Sequence, residues 1–245
     1  MSREVQGVFV AVAGVIMLRL ALFGEYLNYV KPSLQPYLVA ASLGVTVLGL
    51  ASFLLDAVFP RQADPGQADP GQAGADDGHD HGGRAPWSGW LFGIPMAVIL
   101  LVPPPPLGSY AANRTGATVP RPASLRFAPL RSGGIVALLV RDYAARATWD
   151  QGRTLSGRTV RLSGFAVPQA GGGWYLARAT LTCCAADART VKVEVDGSRS
   201  SFATDAWVTV TGSWTASAER DPARAVPRIH AATATLTSRP ENPYE

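Results

Sequence analysis

Hydrophobic and polar positions along the chain divide it into two regimes. Three long apolar runs, 7–23, 37–59 and 87–107, come first, and after Leu107 apolar residues recur with a period of two. A run of about 20 apolar residues is long enough to span a bilayer as a helix. Strict alternation is the pattern of a half-buried strand. The first run is interrupted by Arg19 and closes at Gly24 and Glu25, and the second carries no charge before Asp56. The third has Pro95 inside it and ends in Pro103, Pro104, Pro105 and Pro106, which predicts a kinked span with a sharp stop. Residues 1–59 are therefore expected to hold two transmembrane helices and 87–107 a third. Ala40, Ala41, Gly44 and Gly49 are small enough to let helices approach closely.

Between the second and third runs, 60–86 repeats Gln-Ala-Asp-Pro-Gly from Gln62 and again from Gln67, then ends in His79, Asp80 and His81. Such a composition cannot bury a core, and it predicts a disordered linker. Residues 108–137 read as an extended connector. In 138–245 a short helix at 141–149 precedes five strands at 158–167, 174–184, 191–195, 207–214 and 229–236. Val191, Val193 and Val195 fall on one face, Lys192 and Glu194 on the other. Five strands in so short a stretch, with turns such as Gly171-Gly172-Gly173, favour a small Greek-key barrel of the OB type. The fold class is thus a three-helix membrane part followed by an all-β, OB-like domain.

Charge sharpens this division. The net charge is +4, yet the part before Leu107 holds five Lys/Arg against eight Asp/Glu, and the remainder seventeen against ten. A basic domain beside a membrane is drawn to anionic headgroups. Nucleic acid is not expected as a partner, because the strands offer no aromatic stacking platform beside the arginines. Lys/Arg counts at the helix ends tie, with Arg3, Arg61 and Arg84 against Lys31, Arg114 and Arg121. A cytoplasmic N-terminus is the common start, and three spans then place the barrel outside the cytoplasm.

Candidate chemistry is sparse. His79, Asp80 and His81 offer imidazole and carboxylate ligands of the kind Zn²⁺ accepts, with weak affinity because a flexible segment must be ordered. Cys183 and Cys184 are the chain's two cysteines. In a continuous strand they would point to opposite faces, with Cys183 buried beside Leu181 and Ala179 and Cys184 outward. A redox or metal role for the pair is the alternative to packing, with Asp187 as a neighbouring candidate. Arg19 either lines a polar path or snorkels to the near surface. The chain has no Cys-x-x-Cys, phosphate-binding glycine loop or nucleophile elbow. No enzymatic activity is expected.

Several segments resemble one family. Arg19-Leu20 followed by Gly24, the stretch Tyr29-Val30-Lys31-Pro32, the His/Asp linker and the prolines before Leu107-Gly108-Ser109 are similar to the YcgQ-like bacterial membrane proteins. So are Gly157-Arg158-Thr159-Val160, Gly164-Phe165, Cys183-Cys184-Ala185-Ala186-Asp187-Ala188 and Arg239-Pro240-Glu241-Asn242-Pro243-Tyr244. That family is encoded beside YcgR-type predicted permeases. The resemblance implies a multi-pass protein of the bacterial cell membrane, an auxiliary permease subunit whose partner is such a permease. Metal handling or thiol redox, through the linker and the cysteine pair, is the second reading.

Overall fold

The computed structural model describes residues 3–58, 98, 105–114, 119–169, 171–197, 202–219, 221–222 and 224–245. The linker at 60–86 lies outside the described residues, as does the third apolar run apart from 98 and 105–107. The chain divides into two compact units, Met1–Tyr26 with Ser33–Pro104, and Leu27–Pro32 with Pro105–Glu245.

Helices α1 (Arg3–Leu22) and α2 (Gln35–Val58) form the described part of the first unit. Small residues set their close approach: a Cβ on Gly14 would strike Thr46, and one on Gly49 would strike the backbone of Ala11. Ser42 and Gly49 are buried in this contact, whereas Ala40, Ala41 and Gly44 face outward. Of the four small residues that the pattern offers for helix packing, Gly49 alone serves α1. Outward positions remain apolar, among them Leu43, Val47, Leu50 and Leu54. Among the described residues one helix, Pro32–Leu55, is long and apolar enough to cross a membrane, and Gln6–Leu22 is apolar but shorter.

The second unit is built on a five-stranded closed barrel. Its strands are β2 (Thr159–Pro168), β3 (Trp174–Thr180), β4 (Arg189–Asp196), β5 (Trp207–Thr215) and β6 (Arg228–Leu236). β2, β3 and β4 form an antiparallel meander, β6 joins β4 in parallel, and β5 pairs with both β6 and β2 to close the ring. This is the small Greek-key closure that the alternating pattern predicts. A short strand β1 (Ile135–Ala137) adds in parallel beside β2.

Alternation explains the core. Leu162, Leu176, Val193, Val208, Val210 and Ile229 point inward and are fully buried. Helix α4 (Val140–Trp149) supplies Val140, Tyr143 and Ala144 to the same cluster, and the Tyr143 hydroxyl donates to the Arg228 carbonyl. The stretch read as an extended connector also contains a short helix, α3 (Ser109–Arg114). Its Ala112 packs on the outward side chains Phe165, Val167 and Ala177, so β2 and β3 are buried on both faces there.

Candidate functional site

Strand β3 stops at Thr180, short of the expected end at 184. Leu181 is still buried, but Thr182 and Cys183 turn outward, and a single 3-10 turn, Ala185–Asp187, follows. The reason is a hydrogen-bonding alternative to the sheet. The Asp187 carboxylate accepts the backbone N–H of Thr182 at 2.7 Å, of Cys183 at 2.7 Å and of Cys184 at 3.2 Å. Cys184 and Asp187 form a reciprocal capping box around the turn, which offers orphan N–H groups a local partner and draws the chain out of the ladder.

This overturns the expected placement of the cysteines. Cys183 is exposed, not buried beside Leu181, and Cys184 is the more covered of the two. Both are free thiols with their sulfurs 3.7 Å apart. One thiol Sγ from each cysteine and a carboxylate oxygen of Asp187 lie within 4.8 Å of one another, the one such group of potential metal ligands found among the described residues.

Electrostatics follow from the same contacts. The hydrogen bond to Asp187, with Cys184 adding to it, pushes the Cys183 thiol up to about 11. Asp187 is held well below the usual carboxylate range by the Cys183 thiol and the three N–H groups it accepts. A thiol next to a carboxylate is mostly protonated at neutral pH, which makes it a poor nucleophile.

A second segment backs the turn. The Tyr29 carbonyl accepts the N–H of Ala185 at 2.6 Å, the Lys31 N–H donates to the Cys183 carbonyl at 3.3 Å, and Val30 pairs with Cys184 as an isolated β-bridge. The Tyr244 hydroxyl donates to the Asn28 carbonyl at 2.9 Å and accepts the Leu107 N–H at 3.0 Å. Nothing in the hydrophobic pattern of 27–32 announces this pairing. The cap could have been found, since Cys184 and Asp187 stand three residues apart like the partners of a capping box.

Of the other candidates, Arg19 sits in the last turn of α1 with its guanidinium 3.8 Å from Glu25 and half exposed. It belongs to the first unit and is not part of the thiol turn. His79, Asp80 and His81 lie outside the described residues.

None of the curated proteins matches the chain. Residues 150–245, from the end of α4 through the barrel and the thiol turn, match the family described as the DUF1980 C-terminal domain, a description that carries no activity with it.

Proposed function

We propose that the protein is a non-enzymatic, multi-pass membrane subunit that assists a permease, with its barrel on the extracytoplasmic side presenting the thiol turn as a binding site. The three spans of this reading are α1, α2 and the run at 87–107, and the permease partner rests on the resemblance to YcgQ-like proteins. The observation that carries the binding half is the environment of Cys183. Its sulfur has a carboxylate and a second thiol as neighbours, so the turn gathers three potential ligand atoms within 4.8 Å of one another. A turn that presents one exposed and one half-buried sulfur donor while its backbone is tied down by Asp187 is suited to holding a ligand.

The test is purification of the tagged chain from native membranes after carbonate and high-salt washing, followed by identification of what accompanies it. Retention in the membrane together with a co-purifying multi-span permease supports the reading. Release into the soluble fraction, or a membrane protein that always purifies alone, refutes it.

A further inference from the structure

We propose that Cys183, Cys184 and Asp187 form an open, four-coordinate site for a borderline-soft divalent cation of the Zn²⁺ class. The inference rests on reading the turn as a binding site and does not need the permease.

Geometry selects the ion class. With metal–sulfur bonds of about 2.3 Å, two thiolates on a tetrahedral ion stand about 3.8 Å apart, whereas a linear two-thiolate ion sets them about 4.6 Å apart. The sulfurs of Cys183 and Cys184 are 3.7 Å apart. They therefore stand at the tetrahedral spacing before any ion arrives, and a linear ion would have to spread them.

The third ligand follows from counting lone pairs. A carboxylate offers about four acceptor positions. Asp187 uses three on the N–H groups of Thr182, Cys183 and Cys184, which leaves one for a cation. One Asp187 carboxylate oxygen lies within 4.8 Å of both sulfurs. The protons of Cys183 and Cys184 both go to solvent as the two sulfur–metal bonds form.

Two thiolates and one carboxylate leave the fourth position of a tetrahedral ion open to water or to a donor from another molecule. Closed structural sites use four protein ligands, so an open one on an exposed turn suits an exchangeable cation. The backbone is already ordered by Asp187 and by the pairing of Val30 with Cys184, which lowers the entropy cost of binding.

The full-length protein in detergent, reduced and stripped with a chelator, would be titrated with Co²⁺ as the optical probe and then with Zn²⁺. Expected are one equivalent of Co²⁺ with tetrahedral visible bands, a sulfur-to-metal charge-transfer band, and displacement by Zn²⁺. Cys183→Ser and Cys184→Ser should each lower the charge-transfer intensity by about half and weaken binding at least about tenfold, since each removes one of two thiolates. Asp187→Glu should retain more affinity than Asp187→Ala. A pale octahedral spectrum, or one indifferent to both cysteine substitutions, overturns the site. So does binding that survives both of them and is lost in His79→Ala/His81→Ala, which would place the ion in the linker. The probe needs no partner, so its failure leaves the permease reading to be judged by co-purification.

Discussion

The Arg178 guanidinium and the Glu245 carboxylate face each other at 3.9 Å with their side chains only 9% and 3% exposed. Glu245 also accepts the N–H groups of Val140 at 2.9 Å and Arg141 at 3.0 Å, capping α4, while Arg178 lies over the Trp207 ring and donates to the Asn242 carbonyl. One buried pair thus joins β3, the helix under the barrel and the C-terminal strand-like tail.

Removing one member should therefore cost far more than removing both. Arg178→Met leaves Glu245 buried without its counter-charge, for an expected loss of about 3 to 5 kcal/mol. Combining it with Glu245→Gln should recover part of that loss, because an amide needs no counter-charge. Denaturant unfolding of the detergent-solubilised chain, followed by tryptophan fluorescence, measures both. Additive losses would show that the two groups do not interact.

Glu245 also makes a pH prediction. Burial raises its pKa above the usual 4.5, against the smaller lowering effects of the Arg141 and Val140 N–H groups and of Arg178. The folded state then holds this proton to higher pH than the unfolded one, so its contribution to stability falls as pH rises from 4.5 through the folded value and is flat above it. The stability difference between the natural chain and Glu245→Gln should accordingly shift in favour of the variant as pH rises above 4.5. Parallel melting curves at all pH values would contradict the assignment.

How much of this was legible in the sequence depends on whether the signal is local. Val191, Val193 and Val195 declare β4 by alternation, because a strand with one face in a core must repeat every second residue, whereas Phe165, Ala166 and Val167 of β2 are buried in succession and blur that signal. Alternation through Leu181 points Cys183 inward, but past Thr180 a carboxylate six residues beyond Leu181 competes for the backbone N–H groups and turns it out. The pairing of Val30 with Cys184 joins residues far apart in the chain and follows no periodicity. Helix α3 leaves no mark in the pattern, because six residues are too few to display a helical stripe.

Close packing of α1 and α2 depends on one of two neighbouring glycines. A Cβ on Gly49 would overlap the Ala11 backbone, while one on Gly44 meets nothing within 4 Å. Gly49→Val should lower stability by about 1 to 3 kcal/mol through overpacking, and Gly44→Val should not. Thermal melting of the two variants in the same detergent distinguishes them. Equal melting temperatures would mean that the helices do not meet through Gly49.

The last prediction concerns the charge of Asp187. Its hydrogen bond is the largest cause of the raised Cys183 thiol, so the residue that shapes the turn also suppresses the reactivity of its most exposed sulfur. Asparagine in its place removes the negative charge and keeps one acceptor oxygen, which can serve the N–H groups of Cys183 and Cys184 while that of Thr182 loses its partner. Stabilisation of the thiol proton is thereby lost, and Cys183 should titrate nearer the ordinary thiol value of about 8.5. Alkylation follows the thiolate fraction, so in a metal-free Cys184→Ser background Asp187→Asn should speed carbamidomethylation of Cys183 at pH 8 by at least about tenfold. The midpoint of its pH–rate profile should fall towards that value. Lower intrinsic nucleophilicity of a less basic thiolate offsets only part of the gain. An unchanged or slower rate would show that Asp187 does not hold the Cys183 proton, and its part in the turn would then be confined to the backbone N–H groups of Thr182, Cys183 and Cys184.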